Sequence, residues 1–122
     1  MKILLTASSP SIEATIDPRF GRGAYLITVE TDTLEWQSHP NPGVNASGGA
    51  GTQAAQLAAN QQVQAVISGD FGPNAYNALQ AAGIAMYLYG ASTTVKEAIE
   101  QFKAGKLESV SAPTGRGHHG LG

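Results

Sequence analysis

The 122-residue chain has no cysteine, which excludes disulfides, thiolate-bound metals and cysteine nucleophiles together. Any metal or cluster must then be met by histidine, carboxylate, backbone or the ligand's own atoms. Charge is also scarce: Asp, Glu, Lys and Arg make up 13% of the residues, the formal net charge is −2, and the seven Lys and Arg never form a run. Without a basic footprint, no nucleic-acid partner is expected. No apolar run approaches the ~20 residues of a membrane helix, and the start, "MKILLTASSPS", lacks a long apolar stretch after a basic one. A soluble, cytoplasmic protein with no membrane partner is therefore expected.

What the chain does have is 42% apolar residues, 15 glycines and 6 prolines, enough for one globular domain rich in loop formers. "KILLT" (Lys2–Thr6) suits a buried first strand. Ala24–Thr31 and Thr33–His39 read as a hairpin with Asp32 in its turn. Val63–Gly69 and Ile84–Gly90 each follow a helical pattern, which predicts two strands parallel to the first. Helices are predicted over Gly51–Asn60, from Pro73 to a stop at Gly83, and from a cap in Ser92–Thr94 to Gly105. The last has Val95, Ala98, Ile99 and Phe102 as its apolar stripe. "KLESVSAPTGRGHHGLG" holds one short strand candidate before a Gly-rich tail.

In a mixed α/β sheet of this order the connections "DPRFGRG", "HPNPGVNASGGAGT", "SGDFGP" and "YGASTT" share one edge, with all three helix N-termini. Ligands of open α/β sheets bind at such an edge, here between the first and fourth strands. Helix N-termini present free N–H groups and partial positive charge, so the expected ligand is an anion. Arg19 and Arg22 would add cationic donors, with Phe20 as a wall. On spacing alone an aromatic anchor with solvated arginines explains that segment better. Gly48–Thr52 fits either a nest of backbone donors or a pliant approach to a helix, and it lacks the Lys-Ser/Thr pair of a P-loop. Asp70 is read as a cap of the second helix in preference to a metal ligand. His39 and the tail pair His118 and His119 are the metal-ligand candidates, without a zinc spacing. Asp17 and Asp70 are too few for two-metal chemistry, and no serine has triad partners, so no enzyme is expected.

The succession "IDPRFGRGAYLITVETDT", "NPGVNASGGAGTQAAQLAANQQVQAVISGDFGPNAYNALQAAGIAMYLYG" and "TTVKEAIEQFKAGKL" resembles the dinitrogenase iron-molybdenum cofactor biosynthesis family, the NifX-like and NifB C-terminal-like domains. The resemblance spans residues 1–107, a single α/β domain, and leaves 108–122 as a flexible tail. It implies a ribonuclease H-like three-layer α/β/α fold, with a five-stranded mixed sheet in order 3-2-1-4-5 and three helices. It also implies a non-enzymatic carrier or scaffold for an iron-molybdenum or other metal-sulfur cluster. The partners would be cluster donors or acceptors, and the state a monomer or weak homodimer.

Carried over by position, the binding residues are Arg19, Phe20, Gly21 and Arg22, then Ser47, Gly48, Gly49 and Gly51, then Gly69, Gly72 and Pro73. Relatives often have histidine in "HGxG" about where Ser47 stands, and "HFGR" where this chain has "RFGR". Both departures favour electrostatic and backbone holding of a preassembled anion over direct coordination. A regulatory or interaction module that has lost the cluster is the alternative. Nuclease chemistry, which would rest on fold analogy alone, lacks the acidic cluster it needs.

Overall fold

The apolar run at the start forms the centre of the sheet. The computed structural model describes residues 1–44 and 48–114. In it β1 (Lys2–Ala7) lies between β2 (Tyr25–Glu30), antiparallel to it, and β4 (Ala65–Ser68), parallel to it. β3 (Trp36–Pro40) and β5 (Ala85–Leu88) form the edges, giving the order β3-β2-β1-β4-β5. This is the expected topology, and it explains why Ile3, Leu4 and Leu5 are all fully buried: helices cover both faces of β1.

Side-chain alternation divides the core in two. Leu4, Leu26, Val66 and Met86 face α1 (Ala50–Asn60) and α2 (Pro73–Ala81). Ile3, Leu5, Ile27 and Ile67 face α3 (Val95–Lys103) on the other side. The contact side of α1 is made of Ala54, Ala55 and Ala58, small enough to bring α2 close. Val95, Ala98 and Ile99 are the buried side of α3, as its periodicity predicts, and Phe102 packs edge-on against Tyr87 with ring centroids 5.2 Å apart.

Two boundaries differ from the sequence reading. The β2–β3 turn is longer than one residue, because Leu34 takes a left-handed φ of 64° and the Glu30 N–H donates across the turn to the Glu35 carbonyl (2.9 Å). Asp32 lies within it as expected. Residues 108–114, placed by sequence in the tail, are instead bound along the domain. Leu88 N–H donates to the Glu108 carbonyl and Val110 N–H to that of Met86, both at 2.9 Å. Tyr76 Oη then donates to the Ser111 carbonyl (2.8 Å), and Thr114 N–H to that of Phe71 (2.7 Å).

Candidate functional site

The loops that leave the top of the sheet are held by buried polar contacts. Asp17 accepts from the backbone N–H of Arg19 (2.9 Å), an Asx turn that bends the chain after Ile16. Thr6 Oγ1 donates to the Asp17 carbonyl and lies 2.8 Å from Ser68 Oγ, which donates in turn to the Pro18 carbonyl (3.3 Å). Gly69 N–H also donates to Pro18 (3.1 Å). The crevice between β1 and β4, where a ligand was expected, is thus filled by residues 17–20 of the chain itself. The open part of the edge lies further out, where the loop into α1 meets the loop into α2.

Phe20 goes inward. It is fully buried, with its ring 5.6 Å from that of Phe71, which is also fully buried. The expectation that it walls a ligand is corrected: it anchors "FGR" to "GDFGP" from below. Asn41, which sequence reasoning passed over, ties the third loop to this anchor. Only 2% exposed, it donates through Nδ2 to the Phe20 carbonyl (3.0 Å) and accepts at Oδ1 from Gly43 N–H (2.9 Å). The signal was present as Asn-Pro-Gly, an Asx-turn sequence.

The arginines differ. Arg19 directs Nε and Nη2 at the Asp17 carboxylate, each at 3.3 Å, and this hydrogen-bonded partner raises its already high pKa. Its charge is therefore largely matched within the loop, while the side chain remains 53% exposed. Arg22 donates through Nη1 to the Gly43 carbonyl (3.2 Å), next to the start of α1.

The glycines divide as well. A Cβ on Gly21 would come within 2.8 Å of Gly51 N, one on Gly51 within 2.9 Å of Ala75 Cβ, and one on Gly69 within 2.5 Å of the Tyr89 ring. These three let chain pack on chain. Among the described residues nothing lies within 4 Å of such a Cβ on Gly48, Gly49 or Gly72. The contact between Gly51 and Ala75 also sets the N-termini of α1 and α2 side by side.

Those two N-termini differ from the third. α1 is preceded by Gly49 at φ 71° and α2 by Gly72 in extended conformation; neither has a side-chain cap or an acidic residue in its first turn. In α3 Thr94 accepts from Glu97 N–H, and Glu97 in turn accepts from the N–H groups of Thr93 and Thr94. An α-helix leaves its first N–H groups without partners inside the helix. Here α3 has partners for its own in Thr94 and in the carbonyls of Ala14 and Ile12, whereas α1 and α2 have no side-chain cap among the described residues. Pro73 occupies the first turn of α2 and contributes shape without a donor. Asp70 does not cap α2, contrary to the sequence reading.

His39 sits on β3 and shares a 3.1 Å hydrogen bond between Nε2 and Thr28 Oγ1. No group of three or more His, Asp or Glu able to hold a metal occurs among the described residues, so His39 has no fellow ligands there. Ser47, His118 and His119 lie outside the described residues. Burial lowers the pKa of His39, with a smaller contribution from Lys2. The folded state thus disfavours the imidazolium. Its contribution to stability is full above the unfolded-state pKa of about 6.5 and is lost as pH falls below it. His39→Gln is expected to flatten the fall in stability between about pH 7 and pH 5, as measured by urea denaturation at each pH.

The sequence profile described as dinitrogenase iron-molybdenum cofactor matches residues 1–105. The chain belongs to that family. It is 33% identical over 108 residues to an uncharacterised protein of Methanocaldococcus jannaschii, covering 86% of this chain and 91% of the relative. Among solved structures it is similar to the apo form of the orange protein from Desulfovibrio gigas: TM-score 0.88, 34% identity, 93% of this chain and 95% of the other. It is also similar to a NifB-like protein of the DUF35 family from Thermotoga, with TM-score 0.80, 26% identity, and 93% and 96% of the two chains covered. No helix among the described residues is long and apolar enough to cross a membrane.

Proposed function

We propose that this protein is a non-enzymatic carrier that holds an anionic metal-sulfur cluster, of the iron-molybdenum kind for which its family is named, and passes it between proteins of cofactor assembly. The observation that carries this reading is the pair of adjacent N-termini of α1 and α2, without a side-chain cap among the described residues, in contrast to the capped N-terminus of α3 on the other face of the sheet. Two helix ends without acidic residues favour negative charge. Gly48, Gly49 and Gly72 keep side chains away from that backbone, and Arg22 brings a guanidinium to the rim. A relative solved in an apo form, a term used for proteins that take a ligand, supports the same reading.

Tetrathiomolybdate, a small anion with the same molybdenum-sulfur chemistry, tests it. Anaerobic titration followed in the visible is expected to show saturable binding that weakens with salt. Arg22→Gln keeps a donor for the Gly43 carbonyl and removes the charge; it is expected to weaken binding about tenfold while leaving the melting temperature within a few degrees. No retained molybdenum in the natural protein would end the proposal. A second reading, a regulatory module of the same fold, is favoured by the lack of a metal-ligating group among the described residues. It would be supported by capture of an assembly partner by metal-free protein, unchanged by Arg22→Gln.

A further inference from the structure

The chain does not leave the domain at the end of α3. Leu107 packs on the α3 side of the sheet and Val110 on the side of α1 and α2, so residues 107–110 wrap the edge of β5, where Glu108 and Val110 bond to the backbone of Leu88 and Met86. The segment then crosses α2 at Tyr76, whose Oη donates to the Ser111 carbonyl, and reaches Phe71. There Thr114 meets both backbone groups of one residue: its Oγ1 accepts from Phe71 N–H and its N–H donates to the Phe71 carbonyl, each at 2.7 Å. Phe71 is fully buried, and the next residue, Gly72, is the N-cap of α2.

This course gains little from burial. Glu108, Ser109, Ser111 and Ala112 are exposed, Pro113 and Thr114 are half-buried, and of residues 108–114 only Val110 packs against a core cluster. Segments with few buried apolar contacts and solvent-facing backbone bonds open locally at low free energy. The bonds of this one converge on the loop that aims the first turn of α2. That turn has no side-chain cap and no N–H on Pro73, so its donors are few, and their direction is set by the two residues before it.

Building on the proposed carrier function, we propose that Thr114 is a positioning residue of the cargo edge, and that residues 108–114 act as a strap: docked on β5 and Phe71 they hold the α2 N-terminus in its binding geometry, and undocked they loosen the grip on cargo. Thr114 acts through Phe71 and not by contact with the cargo. The device suits a carrier, which holds at one stage and releases at another, because opening the strap breaks a few exposed bonds and leaves the core closed. Coupling of this kind is reciprocal: whatever factor strap docking adds to cargo affinity, cargo adds to strap docking.

Two anaerobic measurements with tetrathiomolybdate, affinity and amide exchange, test it. Thr114→Ala removes the hydroxyl that accepts from Phe71 N–H and is expected to bind the anion about fivefold more weakly, the low end of ordinary coupling between sites. Thr114→Ser keeps that hydroxyl and is expected to bind within about twofold of the natural protein. Ile99→Val, a core change on the far face of the sheet with a similarly modest loss of melting temperature, is expected to leave affinity unchanged. In the natural protein, saturating tetrathiomolybdate is expected to slow exchange of the Val110 N–H, which pairs with Met86 below the cargo edge, by about the same fivefold. Unchanged affinity in Thr114→Ala, or Val110 exchange indifferent to the anion, would overturn the strap and leave the carrier reading standing. Weakening of the same size in Thr114→Ser or in Ile99→Val would overturn it too, by tracing the loss to general destabilisation. Natural protein that binds no tetrathiomolybdate would overturn the carrier reading and this inference with it.

Discussion

Phe20→Ala is expected to destabilise the protein by about 3–5 kcal/mol, the usual cost of removing a fully buried phenylalanine. The melting temperature should fall by roughly 12–20 °C for a chain of this size. The ring has no exposure and meets the equally buried Phe71 at 5.6 Å, so truncation opens a cavity directly beneath the edge. Collapse into it is hindered, because Asn41 fixes the Phe20 carbonyl and Phe20 N–H is bonded to Asp70. Phe20→Leu, which keeps most of the volume, should cost under about 1.5 kcal/mol. Calorimetry of both variants without ligand checks the assignment. A Phe20→Ala melt within two or three degrees of the natural protein would return the ring to the surface, as a ligand wall.

The consequence for the site is preorganisation. The three loops of the top edge share one buried knot of Phe20, Phe71 and Asn41, so the helix N-termini above it are fixed without any ligand. Fixed donors lose less entropy on binding than mobile ones. The C-terminal segment adds a further tie, Thr114 closing on both the N–H and the carbonyl of Phe71.

Sequence made the sheet order legible because β1, β4 and β5 are short apolar runs separated by capped or glycine-stopped helices, and period alone separates those patterns. The location of the edge, and the expectation of an anion there, followed from that order. The role of each residue at the edge did not, because it depends on contacts between loops distant in sequence. "FGR" carries no mark that its Phe turns inward and its first Arg pairs with Asp17, since the partners come from "GDFGP" and the Asx turn. Glycines that admit a neighbouring backbone look the same in sequence as glycines that admit a ligand. Asp70 read as a cap because Asp before a helix usually is one; here Gly72 and Pro73 take those positions and leave the carboxylate aside. Residues 108–114 read as tail because their bonds to β5 and Phe71 are carried by backbone and one hydroxyl, without an apolar period.

Gly43→Ala and Gly72→Ala are expected to separate the packing glycines from the open ones. A Cβ on Gly43 would stand 2.5 Å from the carbonyl oxygens of both Ala50 and Gly21. Neither oxygen belongs to a flexible side chain, so the clash is relieved only by moving the start of α1 or the "FGR" loop. Overpacking of that kind costs about 3 kcal/mol, a fall of roughly 12 °C in melting temperature. Gly72 is at φ −65° and ψ 172°, open to any residue, and a Cβ there meets nothing within 4 Å among the described residues. Folding should therefore stay within about 0.5 kcal/mol of the natural protein in Gly72→Ala. Cargo resting on the α2 N-terminus would meet that methyl group, and tetrathiomolybdate affinity should drop about tenfold or more, since 1.4 kcal/mol of lost contact suffices for that factor. Gly43→Ala tests how the edge is built, and Gly72→Ala tests what it is open for. Unchanged affinity in a well-folded Gly72→Ala would place the anion away from α2, on the α1 terminus and Arg22 alone.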